Sequence, residues 1–411
     1  MPIYYRISKI RIRFTFRKNI KEVIHKILTI IALVFCTLSL SAQNNNDSLQ
    51  ISVLTCANGD QIYTAFGHCA FRAVCKSQNI DKVYNYGVFS YKQNYFVLKF
   101  VRGFLDYSLA AYNYSYFQRE YSHEGRKVKE QILNLNASQT QALYDFLEWN
   151  ALPENKYYKY NFLEDNCATK IRDIIQNVCG NEVVFPDSTY NFSLRDQINI
   201  RIADMPWYRL GVSLLMGLPV DKKANTFTIQ FLPDYIYSVL NETQIIKNGE
   251  HHPIVASENI AIDAQHPVNL KTWSTYISPS LVFWLIFIIW ATITYFEVKK
   301  QRYHAVGDKV MLFITGLFGI LFLVMWFLTE HTVTAWNLNI LWANPLHIVA
   351  AFNVKKATGF WKNYFKITAG ITAIMLIFGP IMPQQYDIAF YPIICIILLR
   401  LIRIAFCKRQ L

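Results

Sequence analysis

The stretch NFLEDNCATKIRDIIQNVCG, Asn161 to Gly180, sets one thiol in a chemically loaded position. Cys167 directly follows Asp165 and Asn166, where the sequence reads as the first turn of a helix. Apolar Ile171, Ile174, Ile175 and Val178 recur behind it at helical spacing, and Gly180 supplies a stop. Asp165 or Asn166 can cap this helix, and Asp165 is the preferred cap. Unpaired N–H groups in a first turn favour an anion, so a thiolate at residue 167 is stabilised there. The same groups can receive the oxyanion of a tetrahedral intermediate. Cys167 also lies four residues before Ile171, on the apolar stripe, so a wall residue is the competing reading.

A thiol nucleophile needs a base. In YTAFGHCAFRAVC, His68 opens a strand on which Cys69, Phe71, Ala73 and Cys75 share an apolar face. His68, Ala70 and Arg72 share the other face, which reads as more polar. Gly67 beside His68 lets a substrate or another backbone come close. A Cys at a helix start with a His on a strand is the usual placing of a thiol and its base. Asn85, in VYNYG on the next strand, can orient the imidazole through its amide oxygen, and Asp165 is an alternative third member. CxxC and HExxH spacings and Gly-rich phosphate cradles are missing from the sequence, so no metal or cofactor is expected.

The elements that must position these residues lie in a chain of 411 residues, 53% hydrophobic, with a formal net charge of +13. That charge does not read as a nucleic-acid surface. Residues 1–28 hold eight Lys/Arg against the single Glu22, and much of the rest lies between apolar segments near the C-terminus. The basic preamble, the apolar core after Ile27 and the small residues ending at Ala42 read as a signal peptide over 1–42. An uncleaved anchor is the alternative. Residues 43–278 are mixed and polar, and read as an external α+β domain. Strands are expected at Ile51–Cys56, His68–Cys75 and Lys82–Phe89, and a helix at Ser138–Asn150 capped by Ser138. The aromatic, basic stretch Ser90–Phe117 suits acyl chains and phosphate head groups; strands with a Tyr-rich core are the plainer reading. The external domain holds Cys56, Cys69, Cys75, Cys167 and Cys179, an odd number, so at least one thiol stays unpaired within the chain.

Residues 279–411 read as a membrane domain. Pro279–Phe296, Val310–Leu328, Ile367–Met382 and Ile388–Phe406 are spanning segments, and Ile340–Phe352 is a short fifth candidate. Lys and Arg are concentrated between the first and second spans, before Ile367 and in the tail; the stretches 329–339 and 383–387 contain none. That alternation requires the short segment to cross as well, giving about five helices with the catalytic domain outside the cytoplasmic membrane. Asn337, Asn339 and Asn344 then sit near the outer mouth of the third span. Polar groups there mark a substrate path or hold helices together.

A His on an early strand followed by "NC" opening a later helix resembles the permuted papain-like order of lecithin retinol acyltransferase-type and NlpC/P60-related enzymes. FGHCAFR, YNYGVF, RGFLDYSLA, EDNCATKIRD and WNLNILWANPLH together resemble the Lnb family of Gram-negative lipoprotein N-acyltransferases, over roughly residues 50 to 350. The resemblance implies a periplasmic catalytic domain on an inner-membrane bundle, with Cys167 as nucleophile and His68 as base. It implies a phospholipid acyl donor and, as acceptor, the α-amine of a diacylated lipoprotein's N-terminal Cys. Asp165, Asn166, Gly67, Arg72, Asn339 and Asn344 would support the site. Lys170 stands where the family pattern leads us to expect Arg, which preserves charge but not a bidentate contact. Two other readings stay open: a cysteine hydrolase with water as acceptor (a cell-wall peptidase or phospholipase), and an anchored binding module without chemistry.

Overall fold

The computed structural model describes residues 48–264, 276–355 and 358–406. The expected signal peptide over 1–42 lies outside the described residues. Seven strands form one sheet in the order β12-β5-β1-β2-β3-β4-β6. They are β1 (Gln50–Cys56), β2 (His68–Cys75), β3 (Ile80–Phe89), β4 (Asp106–Asn113), β5 (Val128–Leu133), β6 (Tyr157–Lys159) and β12 (Val255–Ile262). Short strands β7 (Val183–Val184), β10 (Gln244–Lys247) and β11 (Glu250–Pro253) make a second sheet, and β8 (Thr189–Ser193) pairs with β9 (Lys223–Asn225).

The sheet is covered on both faces. Ile51, Val53, Cys69, Phe71, Ala73, Tyr84 and Tyr86 pack against three helices on one side. These are α3 (Ala137–Asn150), α4 (Cys167–Cys179) and α8 (Pro233–Glu242), after the short α5 (Leu194–Arg201), α6 (Pro206–Leu215) and α7 (Thr226–Ile229). The stripe read from sequence is the packed one: Ile171, Ile174 and Ile175 are buried, each contributing roughly 1.5–3 kcal/mol. The opposite face departs from expectation. Ala70 is buried there with Leu54, Cys56 and Val83 beneath Tyr114, Phe117 and Tyr121 of α2 (Tyr114–His123). Alternation along β2 alone could not reveal that a helix covers its second face.

The aromatic stretch divides differently from a run of strands. Its middle is the helix α1 (Phe96–Arg102), and only its later part is β4. The cap of α3 is Asn136 rather than Ser138. Asn136 Oδ1 accepts from Gln139 N at 2.8 Å and the Gln139 side chain returns to Asn136 N, a capping box two residues upstream of the expected start.

Among the described residues, three helices are long and apolar enough to cross a membrane: α9 (Pro279–Lys299), α10 (Ala305–Phe327) and a third over Gly359–Ile381, made of α12 (Gly359–Phe378) and a short 3-10 turn. The two other expected crossings take different forms. The short one is a 3-10 turn at Leu338–Leu341 followed, beyond Pro345, by the seven-residue α11 (His347–Asn353). The last is α13 (Phe390–Phe406), 17 residues long and interrupted in its apolarity by buried Arg400 and Arg403.

The sheet-bearing part and the helical part are hydrogen-bonded together through 328–339 and 384–387. Gly217 N donates to Val333 O at 2.9 Å, and Gln385 N to Asp221 Oδ1 at 3.2 Å. Arg209 pairs with Asp387 at 3.1 Å.

Candidate active site

Cys167 is the first residue of α4, and the residue before it builds the corner. Asn166 Oδ1 accepts from Ala168 N at 2.8 Å and from Thr169 N at 2.9 Å. Its own N–H donates to Thr169 Oγ1, closing a capping box. The amide nitrogen donates to Phe162 O and Phe231 O at 2.9 and 2.8 Å, so this buried side chain is fully engaged. Asn166, not Asp165, is therefore the cap. Asp165 turns to Lys170 at 2.7 Å. The distinction is chemical, because Asn supplies donors for the two carbonyls that a carboxylate would repel.

His68 stands at the mouth of β2, one residue after Gly67, whose φ is +80°. A Cβ on Gly67 would lie 2.9 Å from Cys56 O, so the close approach there is by backbone. The ring Nε2 meets Asn85 Oδ1 at 2.5 Å, and Asn85 Nδ2 donates to Tyr112 Oη at 2.9 Å. Since a carbonyl oxygen only accepts, Nε2 carries the proton and Nδ1 is left for the thiol. Tyr112, on the strand next to Asn85, holds the other end of the amide.

The imidazole and the Cys167 side chain border one space, 3.9 and 3.7 Å from where a Cβ on Gly87 would lie, and after burial each acts most strongly on the other's charge. Burial alone would raise the thiol. The positive charge of His68, with a smaller contribution from the backbone at Cys69 and Ala168, holds it below the ordinary thiol range. Burial would lower His68, and the thiolate together with Asn85 raises it above its usual value. Both shifts favour a thiolate–imidazolium pair. Other cysteines behave oppositely: burial pushes Cys56 up to about 12 and Cys179 to about 11, and Cys69 rises well above its ordinary value. Cys56, Cys69, Cys167 and Cys179 are free thiols.

A rate profile for alkylation by iodoacetamide should expose this pair. With the thiol lowered, the midpoint of the alkylation profile at Cys167 should lie below the ordinary thiol range. In His68→Ala the midpoint should move up into or above it, and reactivity at neutral pH should drop. The same midpoint in both proteins would mean that the ring does not hold the thiolate.

A glycine borders the thiol and the ring. The β3–β4 register slips between Asn85 and Val88, and Gly87 within this bulge has φ +93°. A Cβ there would lie 3.7 Å from Cys167 Cβ, 3.9 Å from His68 Cε1 and 4.0 Å from Tyr158 Oη. Gly87→Ala should cost about 1–3 kcal/mol from the positive φ. Its methyl also occupies the space between the three groups, so turnover should fall far more than a melting curve indicates. Unchanged turnover would show that the reacting carbonyl sits elsewhere.

The remaining predicted residues lie apart from this cluster. Arg72 binds Asp81 at 2.8 Å and Glu130 at 3.3 Å, and its guanidinium stacks on Tyr114. Asn339 is buried; its Nδ2 donates to Leu214 O and its Oδ1 accepts from Trp342 Nε1. Asn337 donates to Leu214 O and Leu215 O, so these two amides clamp the end of α6 to the helical part. Asn344 accepts from Leu346 N at the approach to α11. Sequence reading missed Gly87, Tyr112 and Tyr158. Only Gly87, a glycine inside a strand pattern, carried a visible signal.

Two family models match the chain: Lnb N-terminal periplasmic domain, over residues 37–194, and Lnb transmembrane domain, over residues 256–410. The chain belongs to the Lnb family. It is thus a membrane-anchored protein with a periplasmic N-terminal domain, and Cys167, His68 and Asn85 all fall within the matched Lnb periplasmic region. Asn339 and Asn344 fall within the Lnb transmembrane match. No curated protein and no solved structure matches the chain significantly.

Proposed function

We propose that this Lnb-family protein is a lipoprotein N-acyltransferase of the inner membrane. Cys167 takes an acyl chain from a phospholipid as a thioester and passes it to the α-amine of a diacylated lipoprotein's N-terminal Cys. The observation that carries a lipid substrate is where the thiol's own loop is anchored. Asn161, six residues before Cys167, donates to Thr332 Oγ1 at 3.4 Å, and Thr332 lies five residues beyond the end of α10. α1 joins the same loop: Glu330 N donates to Arg102 O at 2.9 Å, and His331 Nε2 meets Phe100 O at 3.1 Å. Its Tyr95, Val97, Leu98 and Phe100 are exposed, Tyr95 at 79% and Val97 at 71%, with Lys92, Lys99 and Arg102 nearby in sequence. An apolar helix with cations at its border suits the interface between acyl chains and head groups.

In the first step the Cys167 thiolate attacks the ester carbonyl. A C–S bond forms, the C–O bond to glycerol breaks, and the His68 imidazolium protonates the leaving alkoxide. His68, now neutral, takes a proton from the incoming amine as it attacks the thioester, and Cys167 leaves as thiolate. An α-amine, with a pKa of about 7.7–8.0, keeps a useful uncharged fraction near neutral pH. Anchoring enzyme, donor and acceptor in one bilayer raises their effective concentration. The reading takes the Leu338–Asn353 segment and α13 as the remaining crossings, five in all, and the His–Asn–Cys order as a permuted papain-like arrangement. Expression in cells lacking their own N-acylating enzyme tests it. Mass spectrometry should find a third acyl chain on lipoprotein N-termini. Diacylated lipoproteins alone, with the protein folded and inserted, would refute transfer to an amine, and release of free fatty acid or lysophospholipid would then indicate a hydrolase.

A further inference from the structure

Tyr158 contributes a buried hydroxyl with no hydrogen-bond partner among the described residues. Such a group costs free energy unless something else meets it. Its ring is held firmly. The Lys170 ammonium sits 4.5 Å from the ring centroid, Tyr86 packs edge-on at 6.2 Å, and Tyr107 tilts against it at 6.4 Å. The hydroxyl reaches the space that Gly87 leaves open, the same space bordered by Cys167 Cβ and His68 Cε1. Burial, with the Cys167 thiolate next in effect, drives this phenol well above its usual range, so it stays protonated and is a donor.

We infer that Tyr158 is an oxyanion donor: its O–H binds the oxygen that becomes negative when Cys167 attacks an acyl carbonyl. The inference rests on reading Cys167 as the nucleophile and adds the group that stabilises the intermediate. As the C–S bond forms, the carbonyl π pair moves onto oxygen. Tyr158 donates to that oxygen without losing its proton, and the pair returns when the leaving group departs. The Cys167 N–H, at the first position of α4 where no intrahelical acceptor exists, can serve as second donor. Lys170 acquires a use here too, since an ammonium over the ring fixes the phenol while Asp165 fixes the ammonium.

Tyr158→Phe removes a single oxygen that bonds to nothing in the resting protein, so the melting temperature should stay the same or rise slightly. Thioester formation with a phospholipid donor should fall roughly 10²–10³-fold. Alkylation of Cys167 by iodoacetamide passes through no oxyanion, so its rate and pH profile should match wild type. A p-nitrophenyl acyl ester separates this inference from the choice of substrate. Attack on it creates the same oxyanion, so the variant should lose acylation by it even if phospholipid proves not to be the donor. Wild-type acylation rates in the variant would overturn the inference, and so would an equal loss of alkylation, which would mean that Tyr158 acts on the thiolate instead.

Discussion

Cys167→Ala should abolish transfer of an acyl chain to lipoprotein amines while leaving a folded, membrane-inserted protein. The side chain carries the only thiol among Cys56, Cys69, Cys167 and Cys179 that its surroundings pull down instead of up. Its truncation removes one partly exposed sulfur from the rim of the core, so stability should change little. Cys167→Ser tests the same point more severely. It keeps the shape, but a hydroxyl is far harder to ionise than a thiol, so His68 alone should not rescue it. His68→Ala should fall roughly 10²–10⁴-fold, the usual worth of a positioned acid–base group. Asn85→Ala should lose less, because it leaves the ring present but free to turn; restored transfer in Asn85→Gln would show that only the acceptor oxygen matters. Residual transfer by Cys167→Ala at an appreciable fraction of wild type would remove the covalent route.

Asp308→Ala should produce the largest loss of stability. Arg400 is fully buried in the helical bundle, with Nε donating to Asp308 Oδ1 at 2.5 Å and Nη2 to Asp308 Oδ2 at 3.0 Å. Its Nη1 donates to Glu297 Oε2 and to Thr294 Oγ1, each at 2.8 Å, so one guanidinium ties α9, α10 and α13 together. Tyr303 Oη adds a donor to Asp308 at 2.6 Å. Removing the carboxylate leaves a buried cation short of a counter-charge, at a cost of about 3–5 kcal/mol. In detergent the melting temperature should drop sharply, with Asp308→Asn intermediate because it keeps an acceptor. Replacing both partners by apolar residues, as in Asp308→Leu with Arg400→Met, should recover much of the loss, since the desolvation cost goes with the charges. An unchanged melting temperature in Asp308→Ala would show that the cluster is not what fastens these helices.

The sequence made some of these parts visible and hid others for physical reasons. β2 runs His68–Cys75, the same bounds that its alternation indicates, because the buried set Cys69, Phe71, Ala73 and Cys75 keeps a period of two although Ala70 is buried on the other face. The helix behind Cys167 was readable from its isoleucines and its terminal glycine. What covers the other face of β2 was not, since α2 comes from a distant aromatic segment whose rings suit strand and helix equally. Asp165 and Asn166 are both good caps on local grounds. Only the tertiary carbonyls of Phe162 and Phe231 decide for the amide. The polar mouth at Asn337 and Asn339 was visible as an oddity, but its partners are backbone oxygens of α6, more than a hundred residues away. Tyr158 is one of several tyrosines in YYKY, and nothing local sets it apart. Gly87 could be suspected from its place inside a strand, though its role depends on what arrives opposite.

The most direct test of the central claim is to trap the acyl-enzyme. The purified full-length protein would be incubated with phospholipid vesicles without lipoprotein acceptor, quenched in acid, digested and analysed by mass spectrometry. The account predicts one acyl chain on the peptide containing Cys167, released by neutral hydroxylamine, discharged when a diacylated lipopeptide is added, and missing in His68→Ala. An unmodified Cys167 in folded protein that still transfers acyl chains, or an adduct confined to another residue, would contradict it.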